Sequence, residues 1–183
     1  GTPMQMWILK PPGFDANKYP SVWRALQRNR AVTDTYEPGS TFKLVTVAGV
    51  LSDRLVSPST RFVLPYEIQV ADRRIHDAEP RGTETLSVSQ ILSRSSNVGA
   101  ITLAQKMGTH RLIQWIQRFG FGKRTGIDFP GESGGLVLPL DKWSGSTIGN
   151  VPIGQGIAVT PIQMASVYAA VANGGEWVEP HLV

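Results

Sequence analysis

Two places in this chain hold residues of the types and spacing that covalent chemistry needs. Ser40 and Lys43 stand three residues apart, about one helical turn, so on a helix their side chains meet on one face. A hydroxyl held against an amine is a nucleophile beside a base. The amine serves as a base only if burial disfavours its ammonium form and lowers its pKa. The same pair also reads as a helix N-cap and a lysine whose stem lies along the surface, and S-x-x-K alone does not choose between the two. The second place is Ser93-Arg94-Ser95-Ser96-Asn97, a polar cluster between two helical patterns, where Ser95 or Asn97 could equally start the next helix. His76 lies alone among charged residues, without the spacing of a metal site.

The elements that must position these groups are legible in outline. Pro38-Gly39 is a turn signal. The run from Phe42 to Leu51 carries apolar residues on every face, which predicts a buried central helix beginning at or next to Ser40. Upstream, Met4 to Leu9 reads as a strand stopped by Pro11-Pro12-Gly13, and a short helix is expected from about Ser21 to Arg28. Downstream, Phe62 to Val70 reads as one irregular extended segment because Pro65 lies inside it, and Arg73 to Gly82 as a polar loop. A helix is expected to open at Thr85-Leu86-Ser87, capped by Thr85 or Ser87, with Val88, Ile91 and Leu92 buried. Val98 to Met107 resumes a helical stripe. Thr109 to Phe119 is an amphipathic helix closed by Gly120. Thr160-Pro161 gives a cap and a proline at the first helical position. The expected core stripe there is Met164, Ala165, Val167, Tyr168 and Val171, and Asn173-Gly174-Gly175 ends the helix.

The 183 residues fit one domain or most of one, and a hydrophobic share of 41% is enough for a core. The formal charge of +4 is scattered, with no basic run, so it does not by itself argue for nucleic acid, and no nucleic-acid partner is expected. The absence of cysteine removes disulfides, thiolate metal sites and cysteine nucleophiles. No stretch is apolar for long enough to span a bilayer. The chain itself is therefore expected to be soluble, with any membrane anchor of its parent outside these residues.

Glu37-Pro38-Gly39-Ser40-Thr41-Phe42-Lys43 resembles the active-site stretch of penicillin-binding proteins, whose motif set is S-x-x-K, a second polar triad and K-T-G. Ser95-Ser96-Asn97 resembles the second motif, S-x-N, in the family's order. Phe119-Gly120-Phe121-Gly122, Thr125-Gly126-Ile127-Asp128 and Pro130-Gly131-Glu132 are similar to the family's connecting turns. Gly154-Gln155-Gly156 through Ala165 is a further resemblance, and it favours a transpeptidase over the related serine β-lactamases. The likeness runs from about Trp7 to Val183 and is nearest to the class B, division-type (septal) proteins. Lys123-Arg124-Thr125-Gly126 is not K-T-G: it has one residue too many and precedes segments that come before K-T-G in the family.

The resemblance implies an α/β (α+β) fold of the penicillin-binding-protein/serine β-lactamase type. Residues 1–183 are expected to form the central, mostly helical part of a transpeptidase domain with an incomplete antiparallel sheet, lacking the N-terminal strand and the C-terminal K-T-G strand region. It implies a serine D,D-transpeptidase that cross-links peptidoglycan stem peptides through a Ser40 acyl-enzyme and is acylated by β-lactams. In that reading Lys43 is the base, Ser95 passes protons to the leaving amine, and Asn97 holds the substrate amide and steadies Lys43. No metal or organic cofactor is implied. The implied partners are stem peptides, β-lactams and, through a membrane-anchored parent with this domain on the extracytoplasmic (periplasmic) side, divisome proteins. The rival readings are a β-lactam sensor, a non-catalytic scaffold of the same fold, and a serine β-lactamase.

Overall fold

The element that carries the first motif changes its winding at that motif. In the computed structural model, which describes residues 28–182, a 3₁₀ turn over Gly39–Phe42 runs directly into the α-helix α2, Lys43–Ser52. Ser40 therefore sits on the 3₁₀ turn and Lys43 is the first residue of α2. A short helix α1, Arg30–Thr33, precedes them, capped by the Asn29 side chain. The strand expected at 4–9 and the helix expected from Ser21 lie outside the described residues.

The described chain forms two compact units. One comprises Glu37–Phe119 and Leu136–Ala158 and holds both motifs. In it, α2 packs against α3 (Val88–Ser93), α4 (Asn97–Met107), α5 (Thr109–Arg118) and the 3₁₀ turn Val151–Ile153, and the short helix α6 (Thr147–Asn150) packs against α4. Phe42, Val45, Val50, Ile91, Val98, Ile101, Leu103, Leu112 and Ile116 are fully shut from solvent there. Two close approaches need glycine. A Cβ on Gly49 would meet the Trp115 ring at 2.9 Å, and one on Gly99 would meet the Ile91 side chain at 2.7 Å, so the helices pack nearer than larger residues permit.

Two small antiparallel sheets flank the helices. Strand β1 (Arg61–Leu64) pairs with β4 (Glu84–Ser87), with Phe62 opposite Leu86. Strand β2 (Glu67–Val70) pairs with β3 (Arg73–His76), with Val70 opposite Arg73. These strands correct three expectations. Residues 62–70 are two strands separated at Pro65, not one irregular segment. Residues 73–76 are a strand, not a loop: the hairpin closes through Ala71-Asp72, with Ala71 at φ +51°, and two-residue hairpin turns of this kind usually advertise themselves with glycine or asparagine. Only one face of the hairpin is covered. Ile68 and Ile75 pack against the cluster of Val70, Ala100, Ile101 and Ile153, while Arg73, Arg74 and His76 stay exposed. Finally, Glu84–Ser87 is strand, so Thr85 is no cap. Ser87 alone caps α3, in a capping box with Gln90.

The other unit, in its described part, comprises 28–36, Gly120–Gly135 and 159–182. Its longest helix is α7, Pro161–Ala172, opened by a capping box between Thr160 and Gln163. The Gln163 amide, 1% exposed, also donates to the carbonyls of Lys123 and Gly134 at 2.7 and 2.9 Å. Val32, Ile127 and Ile162 form the core here. Ile162, Met164, Val167 and Ala170 make the buried face of α7, whereas Tyr168 and Val171, expected in the stripe, are exposed. The Lys123-Arg124-Thr125-Gly126 stretch is loop, held by the Glu132 carboxylate, which accepts from the N–H and the hydroxyl of Thr125 at 2.6 Å.

Candidate active site

Ser40 is exposed and Lys43 beneath it is 1% exposed. The Lys43 amine donates to Ser40 Oγ at 3.1 Å, to Ser95 Oγ at 3.0 Å and to the Ser95 carbonyl. Burial pushes the Lys43 pKa down from 10.5 to about 8, although the Asp77 carboxylate works in the opposite direction. An amine of that pKa is unprotonated in roughly one molecule in ten at pH 7, within the useful range for a general base. The turn that carries Ser40 is pinned by a remote loop. Gly39 N–H donates to the Gly154 carbonyl at 3.0 Å, and Glu37 Oε1 accepts from Gly156 N–H at 2.8 Å.

Ser95 reaches Lys43 by an unusual route. The N–H of Ser95 bonds the Leu92 carbonyl and the N–H of Ser96 bonds the Ile91 carbonyl, both at 3.0 Å. This is the double bond pattern of a Schellman motif ending α3, with its left-handed position at Ser95, φ +55°. Glycine usually fills that position, since a left-handed residue with a Cβ costs about 1–2 kcal/mol. The strain falls on the residue whose carbonyl and hydroxyl both contact the lysine. Ser95→Gly is therefore expected to raise stability by about 1 kcal/mol while slowing the acylation of Ser40 that the resemblance implies. Urea denaturation and a labelling time course check the two halves separately.

Of the two contacts expected of Asn97, the one to Lys43 is not made. Its amide donates to the His76 carbonyl at 2.9 Å, and among the described residues no hydrogen bond joins it to Lys43. The cap of α4 is Ser96, whose hydroxyl accepts from Gly99 N–H at 2.9 Å, not Ser95 or Asn97. The structure thus brings Ser40, Lys43 and Ser95 together, with Asn97 one helical step away at the start of α4.

The sequence reading missed Asp77. This carboxylate, 6% exposed, accepts from Val98 N–H at 3.0 Å, from the Ser96 hydroxyl at 3.1 Å and from Arg81 at 2.9 and 2.5 Å. Burial alone would raise its pKa. The hydrogen bonds from Val98, Arg81 and Ser96 overcome that and hold it below the usual carboxylate range. An i,i+4 Asp–Arg pair in a polar stretch was the available signal. Among the described residues no cluster of His, Cys, Asp or Glu could hold a metal ion, and no helix is long and apolar enough to cross a membrane.

Known proteins resemble the chain in both sequence and fold. A family model described as the penicillin-binding protein transpeptidase domain matches residues 8–183. The chain is 42% identical over 155 residues to penicillin-binding protein PbpB of Mycobacterium tuberculosis, covering 85% of this chain and 23% of that protein. It is 34% identical over 165 residues to the peptidoglycan D,D-transpeptidase FtsI of Escherichia coli K12, covering 90% and 27%. The crystal structure of M. tuberculosis penicillin-binding protein 3 complexed with aztreonam superposes with a TM-score of 0.85 at 39% identity, covering 94% of this chain and 38% of that one. The same protein complexed with ampicillin gives the same score. The chain spans about a quarter of the length of the two curated relatives named. It has their fold, mostly helical with small antiparallel sheets, and it belongs to the penicillin-binding protein transpeptidase domain family, on the class B side that includes PbpB and FtsI.

Proposed function

We propose that this chain is the motif-bearing part of a serine D,D-transpeptidase domain that cross-links peptidoglycan stem peptides and is acylated by β-lactams. The observation that carries the reading is the buried Lys43, with a pKa near 8, joined to both Ser40 Oγ and Ser95 Oγ. Neutral Lys43 removes the hydroxyl proton as Ser40 Oγ attacks the carbonyl of the penultimate D-alanine. The peptide bond breaks, and the terminal D-alanine leaves with a proton passed from the Lys43 ammonium through Ser95. An amine of a neighbouring stem peptide then attacks the ester, forms the cross-link and restores Ser40. A β-lactam follows the first half only, its ring opening onto Ser40. The Ser40 N–H lies in the first turn of the 3₁₀ segment, where backbone donors lack helical partners, and it serves as one oxyanion donor. Asn97 orients the substrate amide.

The second oxyanion donor and the carboxylate-binding lysine and threonine come from a K-T-G strand outside these residues. The parent is membrane-anchored, works on the extracytoplasmic side and joins the division machinery. The reading is supported by similarity to proteins named penicillin-binding protein PbpB and D,D-transpeptidase FtsI and to one crystallised with aztreonam and with ampicillin. The test is intact mass after incubation with a fluorescent penicillin. The full-length protein is expected to gain one adduct, on Ser40, and Ser40→Ala to gain none. Residues 1–183 alone are expected to label about 10²–10³ times more slowly for want of one oxyanion donor. An adduct elsewhere, or an unlabelled full-length protein, refutes the assignment, and steady hydrolysis of the penicillin would point to a β-lactamase instead.

A further inference from the structure

We propose that Asp77, clamped by Arg81, is the positioning residue of this site: it fixes Ser96 and the start of α4, and so holds Ser95 in the turn that faces Lys43. The inference rests on the reading of Ser40 as the acylated nucleophile and deepens it. Asp77 and Arg81 form no hydrogen bond with Ser40 or Ser95, so their action is indirect.

The geometry leaves little slack. Arg81 spends all its donors: Nε and Nη2 go to Asp77 Oδ2, Nη1 to the carbonyls of Leu64 and Gly82 at 3.0 Å, and Nη2 also to the Pro65 carbonyl at 3.1 Å. The guanidinium thereby ties the end of β1 to the segment after β3. Asp77 N–H bonds the Tyr66 carbonyl at 3.1 Å, and the His76 ring bonds the Asp77 carbonyl at 2.7 Å, so its backbone is held as well. The carboxylate then spans Ser96 Oγ and Val98 N–H, while Asn97 returns a bond to His76. Ser96, Asn97 and Val98, three successive residues, are all held by residues 76–77. Ser95 is the next residue back, and its left-handed backbone is the strained part of the turn. A strained conformation persists only where its surroundings over-determine it. Here they do so through an ion pair whose carboxylate is buried and whose guanidinium is largely covered, the kind of interaction that costs heavily to break and so resists alternatives.

The same carboxylate acts on Lys43 through space. Charged or titratable groups on the surrounding elements include His76, Asp77 and Arg81 on β3 and after it, Arg94 after α3, Lys106 on α4, and His110, Arg111 and Arg118 on α5. Of these, Asp77 is the one whose charge raises the Lys43 pKa against burial. A residue that only kept the fold intact would not set the pH at which the base becomes active.

The test is the acylation rate of the full-length protein by a fluorescent penicillin, measured across pH through the Lys43 midpoint. Wild type is expected to rise to an alkaline plateau with its midpoint near 8. Asp77→Asn is expected to lower the plateau by about ten- to a hundredfold through misplacement and to move the midpoint to lower pH. Both changes are required: a wild-type plateau or an unmoved midpoint overturns the proposal. If Asp77→Asn does not fold, Ser96→Ala decides, because it cuts the link and leaves the charge. A lowered plateau about the wild-type midpoint supports the proposal, and a wild-type plateau overturns it. Failure of wild type to label at Ser40 refutes the functional reading first, and is distinguishable because no variant is needed to see it.

Discussion

Lys43→Met should slow acylation of Ser40 by about 10²–10⁴-fold, the usual contribution of a general base, and should at the same time make the protein more stable at neutral pH. The two effects share one cause. Lys43 is buried, and its pKa falls from 10.5 to about 8. Between those values the unfolded chain holds a proton that the folded chain has released, so stability rises with pH across that window. Below about pH 8 both states are protonated and the folded state carries the whole cost, about 3 kcal/mol. Methionine fills a similar volume with no charge to desolvate, and the hydroxyls of Ser40 and Ser95 can turn to solvent. Wild-type stability should therefore climb as pH rises above 8, and that of Lys43→Met should not. Urea titrations at neutral and alkaline pH read this directly. Near-normal penicillin labelling of Lys43→Met would remove Lys43 from the role of base, whatever its stability.

The second large effect is expected far along the chain. Gly154→Ala would place a Cβ 2.2 Å from the Gly39 carbonyl oxygen and 2.5 Å from its nitrogen, on a residue already at φ +78°. The neighbour is backbone, and it is the backbone of the turn that carries Ser40, so it cannot swing aside as a side chain can. A loss of about 2–4 kcal/mol is expected from strain and clash together, with about a hundredfold slower labelling from displacement of Ser40. Gly174→Ala is the control: its φ is +69° but nothing lies within 4 Å of its Cβ. It should cost only the local strain and leave labelling unchanged. Equal labelling by both variants would mean that the Gly154 contact does not position Ser40.

What the sequence made legible is what is encoded locally. Ser40 and Lys43 meet because a helical turn brings them together, and three-residue spacing announces this. Thr160 and Pro161 announce the start of α7 in the same way. The family resemblance supplied Ser95, which spacing alone left as a candidate cap. The parts that were hidden rest on contacts between residues remote in sequence. Asp77 reads as one charge among several in a polar stretch, and its partners Ser96 and Val98 are 19 and 21 residues away. Strand β3 offers a single apolar residue to the core, Ile75, so its alternation is too weak to distinguish from loop. The Schellman turn at Ser95 escaped notice because serine stands where glycine would have marked it. At that position the local rule fails where the chemistry is proposed to occur, which is the pattern expected of a strained functional residue.

The pinning of Ser40 by Gly154 and Gly156 also bears on the order in which the molecule assembles. The Glu37–Gly156 bond spans 119 residues and the Lys43–Ser95 bond spans 52. Contacts between such distant residues form late, because the chain must first close the intervening loop. Helix α2 can wind early from its own residues, but the hydroxyl at its head is not locked in place until segments from three stretches of the chain have converged on it. Under the proposed function, acylation at Ser40 becomes a clock for the last stage of folding: a nascent or refolding full-length protein should acquire its helices well before a β-lactam can label it.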